Sequence, residues 1–408
     1  MINSFGTTSF SMSSGERYCL VIDRITQLPI YHPNLFITTQ LRNKSDSFST
    51  MLSAANNIAI FLRFLDDRDI NLEERVLCRE LFKTYELDDL RDYTQRRFSK
   101  VADEGGYAGD EGVVSSITHY MRLTTIAQYI SWYANHLIKQ PSTVEVRQIK
   151  RVEIQIKSRR PVKRGRNRDQ DRSLDDGQLG VLFEVIKVGS EHNPFGEHIQ
   201  RRNRLMILIL YYLGIRGGEL LNLRISDIDF SKHQLKVVRR ADEKDDPRVK
   251  EPNAKTLERT TFLGDILSKE LHEYITKDRR KVANAKKNDF LFITHKEGPT
   301  VGQPISKSSY YKVLNVVKTV SPDLYKLTGH KLRHTWNRKF SERMDLMDEP
   351  VSEEKQEQFR SYLMGWKQGS GTSTHYNKRF VQEQAQKAAL ALQSNSGARL
   401  PKQGLYNE

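Results

Sequence analysis

Three short clusters in this chain carry side chains able to grip and attack a phosphate-like anion. In Gly214-Ile215-Arg216-Gly217-Gly218-Glu219-Leu220-Leu221-Asn222-Leu223 an arginine sits among three glycines at the end of an apolar run. Glycine lets backbone approach a ligand closely, and a guanidinium there reaches a phosphate with two parallel donors. A surface arginine just past a helix end is the commoner use of such a position, so this cluster alone decides nothing. The second cluster, His330-Lys331-Leu332-Arg333-His334, follows Thr328-Gly329 and precedes Thr335-Trp336. On a helix His330 and Arg333 lie three apart and share a face, which suits joint contact with one anion. His330 and His334, four apart, have the spacing of two metal ligands. Lys331, however, stands where an HExxH site has its water-activating glutamate, and a cation beside a dication is unfavourable. No metal or other cofactor is expected. The third cluster is Met364-Gly365-Trp366, with His375-Tyr376 following among Gly369, Ser370, Gly371 and Thr372, a loop leading into a short helix. As one of 17 tyrosines, Tyr376 alone reads as a packing residue; the order of the three clusters makes it a candidate nucleophile.

The elements that must position these clusters are mostly helical. From Ser47 the residues Met51, Ala54, Ile58, Ile60, Phe61, Phe64 and Leu65 recur at helical spacing, and further helices are expected near 72–83, 87–100 and 115–139. Ahead of them, YCLVID at 18–23 and NLFITTQL at 34–41 are β-prone runs separated by Pro29 and Pro33. Between Arg147 and Arg168 ten basic residues face Glu153 alone, a run expected to self-repel as a linker or interaction segment. At Ser173, Ser-Leu-Asp-Asp predicts a helix N-cap. Helices are then expected at 174–188 and 197–213, a small sheet between Ser226 and Phe262, and helices at 264–283, 306–319, 330–344, 353–364 and 379–393. The domains predicted are an N-terminal extension (1–45), a helical domain (46–145), a basic linker (146–172), a mainly α second domain with a minor antiparallel sheet (173–380) and a C-terminal helix and tail (381–408).

Composition narrows the partner. The chain has 66 Lys and Arg against 51 Asp and Glu, a net charge of +15, which favours a polyanion such as nucleic acid. Two cysteines, Cys19 and Cys78, far apart and outside any CxxC spacing, argue against a disulfide framework or structural zinc and fit a reducing cytosol. The longest apolar stretch, Leu205 to Ile215, is about half the length of a membrane span and reads as a buried helix. No secretory signal is expected from the N-terminal sequence.

Taken in order, Arg, Lys, His-x-x-Arg, Trp and Tyr resemble the tyrosine recombinase or phage integrase family. The resemblance covers residues 173–385 well and 47–140 more loosely, the latter as a core-binding domain that closes with the catalytic domain as a clamp around DNA. It implies that GIRGGELLNL supplies a phosphate-binding Arg216 with Glu219 as its acidic neighbour. Lys255, in AKTLERTTFL, matches the family's hairpin lysine, a candidate general acid. HKLRHT resembles HxLRHT and assigns His330 and Arg333, with His334 in support, while Gly365-Trp366 stands where Gly-His is commoner and Tyr376 falls at the nucleophile. Two departures affect register: the acidic stretch MDEPVSEEKQEQ lengthens the path from Arg333 to Trp366, and Trp366 to Tyr376 is one residue longer than usual.

The resemblance further implies double-stranded DNA as substrate, a 3′-phosphotyrosyl intermediate, a Holliday junction and four protomers in the synaptic complex. Arg159, Arg160, Lys163, Arg164 and Arg166 are then candidates for tracking phosphates from the linker. The C-terminal helix is expected to contact a neighbouring protomer, and the setting implied is a mobile element in the bacterial cytoplasm. Two other functions remain open at this point: a type IB topoisomerase using a similar residue set, and a DNA-binding accessory protein that keeps the fold without turnover.

Overall fold

The computed structural model describes residues 4–98, 112–162, 172–252, 256–347 and 351–367. The chain forms two compact units, one of Met1–Gln170 with Asp242–Asp245, the other of Asp171–Ala241 with Asp246–Glu408. Fifty-seven per cent of the described residues are helical, with small antiparallel sheets, the fold class expected.

The first unit opens with a hairpin of β1 (Phe5–Ser11) and β2 (Arg17–Asp23), in which Phe5 faces Asp23 and Ser11 faces Arg17. Its Tyr18, Cys19 and Val21 are buried in one core with Ala55, Ile58 and Phe61 of the long helix that follows. The run at 34–41, expected to be β-prone, is instead helical: α1 (Tyr31–Phe36) passes directly into a π-helical turn, Ile37–Leu41. Pro33 falls in the first turn, where its missing N–H has no intrahelical partner to lose. Asn34 then does for β2 what a third strand would, its Oδ1 accepting from Val21 N and its Nδ2 donating to Val21 O, each at 2.8 Å.

Four further helices build the unit's body with α2 (Phe48–Asp67): α3 (Leu72–Leu77), α4 (Thr84–Gln95), α5 (Ser116–Leu137) and α6 (Thr143–Ser158). Helix α2 is long and apolar enough to cross a membrane, but Ile58, Phe61 and Phe64 are fully buried against the unit's own core. Helix α6 corrects the reading of residues 146–158 as part of a tether. Ile149, Val152 and Ile156 recur at helical spacing and are buried, while the basic residues occupy the rest of the surface. Ser142 and Glu145 cap its start reciprocally. Of the two cysteines, Cys19 is buried and Cys78 is exposed at the end of α3.

The second unit begins with α7 (Asp176–Val185), whose N-cap is Asp175, not Ser173. Buried Leu174, its N–H held by Thr335 Oγ1 at 2.8 Å, keeps that stretch extended two residues further than the Ser-Leu-Asp-Asp pattern implied. Helix α8 (Glu197–Leu213) is the unit's axis, and every side chain from Leu205 to Leu210 is at most 3% exposed. After α9 (Gly217–Asn222) come β3 (Ile228–Asp229), β4 (Gln234–Val237) and β5 (Arg259–Phe262), an antiparallel sheet in that order with Val237 opposite Arg259. The expected helix at 264–283 is α10 (Asp265–Glu273) followed by π and 3-10 turns. Helices α11 (Lys307–Val320) and α12 (Gly329–Asp345) complete the core around α8, and α13 (Glu353–Met364) packs against β5. The helix expected at 379–393 lies outside the described residues.

Candidate active site

The first arginine is placed by its backbone. Helix α8 ends at Gly214 in the left-handed region, φ 60°, where a Cβ would come within 2.8 Å of both Trp336 and Met364 side chains. Two residues on, half-buried Arg216 is the N-cap of α9, and its N–H donates to Glu219 Oε2 at 2.7 Å. Glu219 is 1% exposed. Burial pushes its carboxyl up, but the hydrogen bonds and charge of Arg259, with Thr256 Oγ1 and the Arg216 N–H, outweigh that and hold it below the ordinary carboxylate value.

Helix α12 carries the second cluster. Thr328 caps it by accepting from Lys331 N at 3.0 Å. His330, in the first turn, is exposed; Arg333, three residues later, is 2% exposed, so the pair differ in depth. The Arg333 guanidinium donates to Gly214 O at 2.6 Å and to Met364 O at 3.0 Å. It therefore ties the turn before Arg216 to the turn before Trp366. Its Cζ also lies 5.4 Å from the ring centre of Trp366, itself 6% exposed. His334 meets His330 edge to face, ring centres 4.5 Å apart.

Residues that sequence reasoning did not single out hold these segments at their spacing. Asn337 donates to Arg333 O at 2.8 Å and contacts Met364 Sδ at 3.7 Å. The phenol of buried Tyr310, on α11, lies against the backbone of two clusters at once. A Cβ on Gly329 would stand 2.0 Å from its Oη, and one on Gly217 would stand 2.8 Å from Oη and 2.9 Å from the ring carbons. Arg259 joins Glu219 to Leu363 O. Nothing in the run RTTF marks it out from a charge that meets solvent.

Lys255 and Tyr376 lie outside the described residues, as do Lys163, Arg164 and Arg166. Arg159 and Arg160 are in the first unit and bond within it. Arg159 Nε reaches Asp88 Oδ1 at 2.6 Å, while Arg160 stacks 4.4 Å over Tyr120 and donates to Lys157 O. Among the described residues no three His, Cys, Asp or Glu side chains group as a metal site.

Residues 190–383 match the phage integrase family. That segment, just under half of the chain, carries a phage integrase domain. The matched segment contains Arg216, Lys255, His330, Arg333, Trp366 and Tyr376. Tyrosine recombinase XerD of Halalkalibacterium halodurans is 27% identical over 136 residues, covering 33% of this chain and 39% of that protein. Tyrosine recombinase XerC of Staphylococcus haemolyticus is 27% identical over 159 residues, covering 39% of this chain and 44% of the relative. The chain thus aligns with about two-fifths of the length of those curated relatives. Its fold is that of the XerH site-specific recombinase in a post-cleavage complex with palindromic difH substrate: TM-score 0.50 at 16% identity, covering 86% of this chain and 84% of that one.

Proposed function

We propose that the chain is a site-specific DNA recombinase that cuts and rejoins strands through a covalent bond between Tyr376 and a 3′ phosphate. The observation that carries this reading is the Arg333 guanidinium, bonded at once to Gly214 O and Met364 O, which draws the arginine, histidine and tryptophan clusters into one place.

In this mechanism Arg216 and Arg333 offset the charge that builds on the non-bridging oxygens. Loss of one such preorganised donor costs roughly 10²–10³ in rate. His330 and Trp366 donate hydrogen bonds to the same phosphate, with indole N–H serving where histidine is commoner. Tyrosine ionises near 10, about three units above neutral pH, so it needs a base or cations to attack; His330 accepts its proton. The Tyr376 oxygen forms a bond to phosphorus, the bond to the 5′ oxygen breaks, and Lys255 protonates the leaving oxygen. One phosphodiester is exchanged for another, so religation needs neither ATP nor metal.

A core-binding domain, residues 46–145, and a catalytic domain, 173–380, closing as a clamp on double-stranded DNA would supply affinity mainly through phosphates. Exchange of partners then passes through a Holliday junction in a tetramer, with the helix after Tyr376 contacting a neighbour. The setting that fits is a mobile genetic element in the bacterial cytoplasm, at the nucleoid.

The test is incubation in EDTA with a nicked duplex bearing the chain's binding site, the site being recovered first by selection from random sequence. Wild type forms a denaturation-resistant adduct and Tyr376→Phe does not. An adduct in both assigns the nucleophile elsewhere. None in either, on DNA the protein binds, makes it a non-catalytic binding protein. Recombination of two marked sites, as against relaxation of supercoils alone, separates a recombinase from a topoisomerase.

A further inference from the structure

We propose that Arg259 is a positioning residue for strand cleavage, acting through Glu219 on the backbone of Arg216 and through Leu363 on the turn that carries Trp366. This rests on the catalytic reading above and adds a residue to it.

Arg259 opens β5, four residues after Lys255, and its side chain is 1% exposed. Its Nη1 and Nη2 donate to the two Glu219 oxygens at 3.1 and 3.0 Å, and Nε donates to Leu363 O at 2.7 Å. Glu219, fully buried, divides its acceptors between Arg259, Thr256 Oγ1 and the Arg216 N–H. On the other side Leu257 N donates to Gly365 O at 3.0 Å, so strand and turn are fastened twice. The fit is close: Gly365 has φ 63°, and a Cβ there would lie 2.7 Å from Arg259 Nη1. One guanidinium therefore sits where the Arg216 loop, the start of β5 and Leu363, at the end of α13, converge.

Stability does not account for such a pair. Two charges taken out of water at this depth gain little net free energy over well-packed apolar residues of the same volume, and what they add is a fixed geometry. That geometry is the alignment of Arg216 and Trp366, since Arg259 bonds the carboxylate that holds the Arg216 N–H and the Leu363 carbonyl three residues before Trp366. Lysine keeps the charge but has one nitrogen on a flexible stem, and cannot hold both carboxylate oxygens and a carbonyl together.

The experiment is single-turnover cleavage of the nicked duplex by full-length wild type, Arg259→Lys, Arg259→Met, Arg216→Lys and the Arg216→Lys/Arg259→Lys double variant. Loss of folded protein lowers the amplitude of adduct formed; loss of alignment lowers the rate constant. Arg259→Lys is expected to lose about 10²-fold in rate constant at saturating DNA, the cost of displacing a reacting group by about 1 Å, with half-saturation and amplitude little changed. The double variant is expected to lose less than the product of the two single losses, because Arg259 acts in part through Arg216. A rate constant unchanged in Arg259→Lys, or losses that multiply in the double variant, overturns the proposal. Should Arg259→Met not fold, Arg259→Lys and the double variant still decide it. Wild type is measured first: no adduct there defeats the catalytic reading, and the role of Arg259 with it.

Discussion

Single side chains in the second unit are placed by acceptors that leave little choice of state. His295 Nδ1 lies 2.9 Å from His198 O, a carbonyl that can only accept, so Nδ1 carries the proton and Nε2 faces the Tyr274 hydroxyl at 3.3 Å. Burial first, and then the nearby Arg202 charge, push the pKa of His295 down to about 4 from 6.5. The unfolded chain therefore takes up this proton before the folded one does. Its contribution to stability is complete above pH 6.5, falls as pH drops toward 4, and changes no further below. At about 1.4 kcal/mol per pH unit, wild type is expected to lose about 2 kcal/mol between pH 7 and pH 5. His295→Gln should lose less over the same interval. Urea unfolding at the two pH values measures both, and equal losses would remove His295 as the cause.

At the scale of elements, α11 sets the distance between two segments of the candidate site through one phenol. Gly329→Ala sets a methyl 2.0 Å from Tyr310 Oη, whereas the next atom, Cζ, is 3.3 Å away. The substitution should destabilise by about 1–3 kcal/mol, the usual cost of overpacking. Tyr310→Phe should restore much of that loss. Gly217→Ala should not be rescued in the same way, because its Cβ also meets the ring carbons at 2.9 Å. Thermal melts of the four single and double variants give the comparison, and rescue of both glycines or of neither would place the conflict elsewhere. The continuous apolar run from Leu205 to Ile215 made α8 legible in the sequence, and periodicity made α2 and α5 so because one apolar face dominates each. It failed for Asn34–Leu41, where Ile37, Thr38 and Thr39 read as strand but the Asn34 bonds to Val21 favour a helix. In α6 the apolar positions Ile149, Val152 and Ile156 were visible, yet the count of charges hid them. The candidate site was legible as an ordered set of residue types. Arg259 and Tyr310 were not, because nothing in a sequence distinguishes a charge or phenol that fastens backbone from one that meets solvent.

Over the whole molecule, charge governs how the chain meets its proposed substrate. With a net charge of +15, binding to duplex DNA should weaken steeply with salt, the slope of log K against log salt reporting the phosphates neutralised. Arg159 and Arg160 already bond to Asp88 and Lys157, so neutralising them is expected to lower the melting temperature of the first unit more than it changes that slope. Neutralising Lys163, Arg164 and Arg166 should flatten the slope by about 0.9 for each phosphate that keeps its counterion. Fluorescence titration at four salt concentrations checks this, and a slope unmoved by the second set returns that segment to a tether. The two cysteines have a practical consequence. Burial pushes the Cys19 thiol up to about 12, while Cys78 stands exposed at the end of α3. A thiol-reactive dye should therefore mark the natural chain at one known point, giving an optical reporter of DNA engagement without any engineered residue.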